Sequence, residues 1–513
     1  MLEIYNPYAI AAISALGGFL FGTDISSVSA FLDVDSYLIY FNHPNDTTQG
    51  GITAAMPAGA FVGALVAGPV SNRLGRKKSI ILSTVCWAIG CILSCAAQNV
   101  PMLVVGRFIK GICVGWTSGQ VPVYLAEQSP RAIRGRLVGT QQIAITVGIL
   151  VMFYVSYGCS FIKGTTSFRL AWGLQLVPGA LLGLLLPLCP ESCRWLASRG
   201  RMEEAEQVIA KIHNLPLDSA EVQLQMDEIR EALRIEKESA EIGYSDLFKK
   251  KLLSRTIAGM ACQLWRHVPP SIAHFAVQLC GVNVMMYYVV YVFQMAGLTG
   301  NTNLISSSIQ YVINFAMTIP ALIWVDKWGR RPTLLVGSAL MAAFLFATAG
   351  LLANYGHYVP NVEGNENVRW SVSGPPSKAV IACSYLFVAS FAITWGPVSW
   401  IYVSEIFPRP VRAQGSGLAT ATNWIMNFAL SFFVPPAFKN IQWKTYLVFG
   451  VFCVASFIQV FFTFHETKGR SLEEISTLFE TSITPFSKKA TLYPSPNGSS
   501  HHDDLKEHIT ASD

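Results

Sequence analysis

Asn72-Arg73-Leu74-Gly75-Arg76-Lys77 lies between two long apolar runs, and Asp326-Lys327-Trp328-Gly329-Arg330-Arg331 lies between two more. Each is a short basic turn with glycine at its fourth place. A turn this tight cannot itself cross a bilayer, so it joins two antiparallel transmembrane helices on one face of the membrane. Its appearance once in each half of the chain points to a duplicated, helical membrane protein.

Composition agrees with that reading. Of 513 residues, 52% are hydrophobic and 13% charged, where a soluble domain carries roughly a quarter charged residues. A transmembrane helix needs about 20 mostly apolar residues. Twelve stretches qualify, near 8–30, 51–71, 79–98, 102–124, 137–158, 170–189, 271–296, 304–325, 333–354, 379–401, 414–436 and 445–464. The expected fold is therefore all-α and polytopic, with twelve transmembrane helices in two six-helix halves. The halves span residues 1–189 and 271–464, with a polar helical linker at 190–270 and a tail at 465–513. In the linker, Met202–His213 and Glu221–Ala240 read as amphipathic helices rich in both charge signs. Such a segment cannot be intramembrane; it either tethers the halves or braces them. The last twenty or so residues of the tail read as disordered.

The net charge of +6 is modest, and its placement matters more. Arg73, Arg76, Lys77, Lys78, Arg131, Arg134, Arg136, Lys327, Arg330, Arg331, Arg409 and Arg412 fall in loops on one side, with far fewer basic residues on the other. The positive-inside bias puts that side and both termini in the cytosol. The basic turns are too short, and too close to apolar helices, for nucleic-acid binding. The first apolar run reads as an uncleaved targeting signal. Asn45-Asp46-Thr47 is a glycosylation acceptor in the first outer loop, whereas Asn497-Gly498-Ser499 faces the cytosol and is expected to be unused. The eleven cysteines show neither metal nor disulfide spacing, and read as small apolar fillers.

A second repeat supports duplication. Glu127-x-x-Pro130-x-x-x-Arg134 follows the fourth span, and Glu405-x-x-Pro408-x-x-x-Arg412 follows the tenth. With Arg73, Arg76, Asp326 and Arg330 of the turns, Glu191 and Arg194 after the sixth span, and Glu466 after the twelfth, each half carries acids and bases at equivalent places. These charges either fix topology alone or form a gate, pairing when the cytoplasmic side is closed and separating when it opens. Six-helix parallel repeats with substrate between them are the architecture of rocking transporters.

The chain resembles the sugar porters of the major facilitator superfamily, and within them the fungal hexose and pentose transporters. The resemblance covers nearly all of residues 8–480. It rests on Gly17-Gly18-Phe19-Leu20-Phe21-Gly22-Thr23-Asp24, Gly106-Arg107, Pro122-Val123-Tyr124-Leu125-Ala126-Glu127 and Pro190-Glu191-Ser192-Cys193-Arg194-Trp195-Leu196. It continues through Gln278-Leu279-Cys280-Gly281-Val282-Asn283, Tyr287-Tyr288, Gly396-Pro397-Val398-Ser399-Trp400, Ser404-Glu405-Ile406-Phe407-Pro408 and Glu466-Thr467-Lys468-Gly469-Arg470. Three residues depart from the family pattern. Asn72 stands where the basic turn usually has Asp, His465 replaces a Pro, and Val277 replaces the first of two glutamines.

The resemblance implies an alternating-access carrier for a monosaccharide such as glucose or xylose. A neutral sugar needs amides and hydroxyls for hydrogen bonds and an aromatic plate for its C–H faces, in a pocket otherwise apolar. The resemblance assigns sugar contacts to Gln142, Gln278, Asn283, Asn314, Asn423 and Trp400. Amides in membrane helices also serve as interhelical glue, at about 0.6 kcal/mol on average. A break of the seventh helix near Gly281 would bring Gln278 and Asn283 together. Tyr287 and Tyr288 either line the outer entrance or pack.

Ionisable groups within the membrane are costly and face a partner or a cavity. At 1.5 Å per residue, Asp24 lies about 24 Å above the start of its helix and Arg107 about 8 Å below the start of its own, so both sit in the outer half and can pair. A carboxylate that gains and loses a cation changes its proton affinity. That is a physical route to proton–sugar symport, which the resemblance also implies for Asp24 and Arg107. The expected partners are a monosaccharide, a proton and the lipid bilayer; the carrier is expected to act as a monomer in the plasma membrane. No enzyme chemistry, metal or cofactor is expected. The alternatives are a facilitated-diffusion uniporter, a non-transporting sugar sensor, and a polyol or quinate carrier.

Overall fold

The computed structural model describes residues 3–29, 31, 34–42, 44–130, 133–238, 281–362, 365, 368–407, 412–470 and 475. Gln278, linker residues 239–270, the expected disordered tail and Asn497 lie outside them. In the first half, α1 is Pro7–Ser29, α2 Asp35–Tyr40, α3 Asp46–Leu74, α4 Arg76–Cys95, α5 Val100–Gln128, α6 Arg134–Ser160, α7 Thr166–Leu174 and α8 Leu176–Leu185. The linker holds α9 (Cys193–Ser198), α10 (Met202–His213) and α11 (Ala220–Glu238). The second half has α12 (Val282–Tyr287), α13 (Val289–Met295), α14 (Gly300–Trp328) and α15 (Arg330–Tyr355). It ends with α16 (Pro375–Ile393), α17 (Trp395–Ile406), α18 (Arg412–Asn440) and α19 (Lys444–Thr463).

Ten described helical segments are long and apolar enough to cross a membrane. Two of the twelve expected spans are not among them. The eleventh is the 29-residue α18, and the described part of the seventh is the broken pair α12 and α13. The protein is an all-α, multi-pass membrane protein. Outside the helical reading, a two-stranded antiparallel ribbon pairs β1 (Gly356–Tyr358) with β2 (Trp370–Val372) in the loop after α15.

With lipid as apolar as the helix surfaces, close van der Waals packing drives helix association, and small residues permit it. Gly59 and Gly63 of α3 face Gly111 and Gly115 of α5. A Cβ on Gly59 would lie 1.9 Å from the Phe108 carbonyl oxygen, and one on Gly115 equally close to that of Ala60. A second such crossing joins α1 to α6, where a Cβ on Gly22 would meet the Ile145 oxygen at 2.1 Å and one on Gly148 the Phe19 oxygen at 2.4 Å. No larger residue fits either place without moving backbone.

Two spans of the second half are interrupted. Gly281 has φ +79°, and α12 gives way to α13 at Tyr288, whose hydroxyl donates to the Ser431 carbonyl at 2.8 Å. Pro397, which has no N–H to give Ile393, follows the break between α16 and α17 at Thr394 (φ −115°, ψ −85°). The halves meet along α3 against α18 and α6 against α14. Phe21 packs edge-on to Trp424 at 4.8 Å, and the Ser29 and Tyr311 hydroxyls lie 3.3 Å apart.

Candidate functional site

Polar groups concentrate in three places. The first is fully buried between α1 and α5. Asp24 Oδ2 meets Arg107 Nη2 at 3.0 Å, and Asp24 Oδ1 meets Lys110 Nζ at 2.6 Å. All three side chains are at most 1% exposed. Arg107 Nε also donates to the Ile52 carbonyl of α3 at 2.8 Å. Lys110 donates to Gln175 Oε1 at 2.8 Å and lies 5.7 Å from the centroid of the Trp87 ring. Gln175 sits at the junction of α7 and α8, and its Nε2 donates to the Thr23 carbonyl at 3.0 Å. The pairing of Asp24 with Arg107 agrees with the similar depth expected of them from the sequence. Lys110 is absent from the sequence reading; a lysine one turn after Arg107 in an apolar run was the signal available.

The second place is a set of buried amides and an indole at the interface of the halves. Gln142 of α6 accepts from Trp400 Nε1 of α17 at 3.1 Å, joining the two halves directly. Asn314 of α14 donates to the Met286 sulfur at 3.8 Å, while its Oδ1 has no partner among the described residues. Asn423 of α18 is buried; Asn283, near the start of α12, is half-buried. Tyr287 and Tyr288 are both buried, Tyr287 beside Asn427. Of the further buried amides missed at the sequence level, two are 0% exposed, with both polar ends unpartnered among the described residues. They are Gln120 of α5 and Gln141 of α6, the latter against Gly18. An amide in an apolar helix was again the available signal.

The third place is the end of the bundle that carries the basic turns. Glu191 Oε1 accepts from the backbone N–H of Arg76 (2.9 Å) and Lys77 (3.1 Å), capping the start of α4. Glu466 does the same for α15, through Arg330 N (2.9 Å) and Arg331 N (3.1 Å). Gly75 and Gly329 have φ of +95° and +87°, and a side chain on either would run into the capping carboxylate. Arg76 holds Glu127 through Nε at 3.2 Å and Nη2 at 3.3 Å; Arg330 holds Glu405 at 3.0 Å. Ser192 donates to Glu127, and Thr467 to Glu405 at 2.7 Å. Arg330 also pairs with Asp326 at 3.1 Å, and Asp326 reaches Arg136 of the other half at 3.9 Å.

Arg73 is exposed, and neither it nor half-buried Arg194 forms an ion pair among the described residues. Arg134 opens α6 and is half-buried; Arg412 opens α18. Asn45 is exposed and caps α3 by accepting from Thr48 N at 2.9 Å.

This arrangement can hold a neutral polyhydroxyl ligand between the halves, titrate a buried carboxylate, and open or close one end by making and breaking ion pairs. Comparisons with known proteins agree with that range. The family model described as "Sugar (and other) transporter" matches residues 10–479. The high-affinity glucose transporter of Kluyveromyces lactis is 49% identical over 486 residues, covering 94% of this chain and 86% of the relative. High-affinity glucose transporter 1 of Candida albicans is 46% identical, covering 94% of this chain and 87% of its own length. Among solved structures, the proton:xylose symporter XylE bound to 6-bromo-6-deoxy-D-glucose superposes with a TM-score of 0.77. It is 28% identical and covers 92% of this chain and 99% of its own.

Proposed function

We propose, from the premise that this chain belongs to the sugar transporter family, that it moves a monosaccharide, glucose or xylose, into the cell together with a proton. The protein is a sugar carrier of the major facilitator fold, not an enzyme. The observation that carries proton coupling is the buried ion pair of Asp24 with Arg107, made between two helices. Held against Arg107, Asp24 stays ionised. When α1 and α5 separate toward the outside, the carboxylate loses its cation and takes up a proton; return of the pair toward the inside expels it.

The sugar is held between the halves by Gln142, Gln278, Asn283, Asn314 and Asn423, with Trp400 as the stacking or capping ring. Two relatives named as glucose transporters and a neighbour named as a xylose symporter support that substrate class. The ion pairs of Arg76, Glu127, Arg330, Glu405 and Asp326 make the cytoplasmic gate, with Glu191 and Glu466 bracing its helix ends. Arg73, Arg134, Arg194 and Arg412 supply the further positive charge of that face. In this reading both termini and the linker lie in the cytosol, the membrane is the plasma membrane, Asn45 carries a glycan, and one chain suffices for transport.

Uptake of labelled glucose and xylose into proteoliposomes, with and without an inward proton gradient, tests the proposal. Wild type concentrates sugar only with the gradient, and Asp24→Asn loses accumulation while still equilibrating sugar. Equilibration alone in wild type, indifferent to the gradient, makes the protein a uniporter. Sugar binding without uptake makes it a sensor, and competition by polyols or quinate moves it to a different substrate class.

A further inference from the structure

The charges around Asp24 do not balance: one carboxylate faces two cations, all at most 1% exposed. Arg107 alone would neutralise Asp24. Lys110 is nevertheless built in, its Nζ with a carboxylate oxygen at 2.6 Å, an amide oxygen at 2.8 Å and the centroid of the Trp87 ring at 5.7 Å. These are three electron-rich groups around one side-chain nitrogen. Gly90 makes the room, since a Cβ there would lie 2.5 Å from the Lys110 Cγ. Gln175, which holds Lys110, also holds the α1 backbone one residue before Asp24.

We infer that Lys110 is a positioning residue of the coupling site, a second cation that competes with the proton for Asp24 and so sets the pH range of transport. The inference rests on the proton-coupled reading and deepens it. Protonating Asp24 in the closed arrangement would leave two cations a few ångströms apart with no anion between them, and like charges in a low-dielectric interior repel strongly. A proton therefore enters Asp24 only when α1 has moved away from Lys110 as well as from Arg107. Lys110 then exchanges the carboxylate for water.

The other groups around Asp24 do not supply this competition. The Tyr287 hydroxyl of α12 and the Cys91 thiol of α4 are the nearby titratable groups on those elements. α6 meets this part of α1 through Ile145, Gly148 and Ile149, and α8 contains no titratable residue. Arg107 and Lys110 come from α5.

The test is an infrared titration of the Asp24 carboxyl in the full-length protein, assigned by its loss in Asp24→Asn, alongside the pH profile of glucose uptake. In Lys110→Met the acid form appears at a pH higher by about one unit or more. Uptake extends to more alkaline pH in parallel, and Lys110→Arg moves both back. Lys110→Gln replaces Lys110→Met should the latter fail to fold. A titration identical to wild type, with uptake reduced by the same factor at every pH, overturns the inference and leaves Lys110 a packing residue. The shifted titration in a protein whose uptake ignores the proton gradient upholds the Lys110–Asp24 competition and defeats symport, so the two failures are told apart.

Discussion

The two basic turns have nearly the same backbone and differ at their first residue, Asn72 in one half and Asp326 in the other. In the first half, Arg76 has one carboxylate, Glu127, and takes Asn72 Oδ1 as a neutral acceptor at 3.3 Å. In the second, Arg330 has two carboxylates, Glu405 and Asp326, and Asp326 also reaches across to Arg136. The capping acids, the positive-φ glycines and the hydroxyls on Glu127 and Glu405 are alike in both. What differs is therefore charge and not shape. Changing an acid to its amide keeps the turn, removes an ion pair within the half, and removes an acid that could reach the opposite half. The second turn is both clamp and bridge; the first is a clamp.

Removing the arginine breaks this comparison most strongly. Arg330 is 5% exposed, and Arg330→Ala strands Glu405 in a buried position, which costs about 3–5 kcal/mol. Arg76→Ala costs less, because the Arg76 side chain is 12% exposed and has a single acid. Melting of the two purified variants by intrinsic fluorescence shows the larger drop for Arg330→Ala; equal drops would mean that the Asp326 difference has no energetic weight.

Next comes a pair that treats the halves alike. Gly75→Ala and Gly329→Ala each force an L-residue into a conformation that only glycine adopts readily, at about 1–3 kcal/mol. Both melting temperatures fall by similar amounts, since each new Cβ meets a capping carboxylate. A wide disparity would show that the turns are not equivalent in shape.

The smallest effects belong to the differing residue itself. Asp326 and Arg136 are 23% and 45% exposed, so their link contributes about 0.2–1 kcal/mol. A double-mutant cycle of Asp326→Asn with Arg136→Gln measures that coupling, and Asn72→Asp stabilises the first turn by no more than a similar amount. A coupling energy as large as the Arg330→Ala loss would contradict the screened, half-exposed geometry.

Much of this was legible in the sequence because membrane helices declare themselves by length and apolarity. The turns around Gly75 and Gly329, and the match of Glu127-x-x-Pro130 to Glu405-x-x-Pro408, announced duplication before any fold was drawn. Linker helix Met202–His213 has the limits read from its amphipathic pattern, and the second begins one residue earlier than expected, at Ala220. Partnership was harder to read. Lys110 in isolation is one charge in an apolar run; Gln175, at a helix junction 65 residues away, and Asp24, on another helix, make sense of it only in three dimensions. The break at Tyr288 was hidden for a similar reason. Tyrosine is no helix breaker, and its hydroxyl bonds to Ser431, far along the chain.

The glycine crossings of α3 with α5 and of α1 with α6 have a mechanical consequence. Helices whose backbones touch cannot slide without atoms colliding, so α3 with α5, and α1 with α6, each behave as a stiff plank. Asp24 rides on one plank, while Arg107 and Lys110 ride on the other, with Arg107 pinned to the Ile52 carbonyl within its own. The ion pair thus lies on a seam between two rigid pieces. A displacement of one plank against the other is therefore felt at the carboxylate, as the load on a beam is felt at its support.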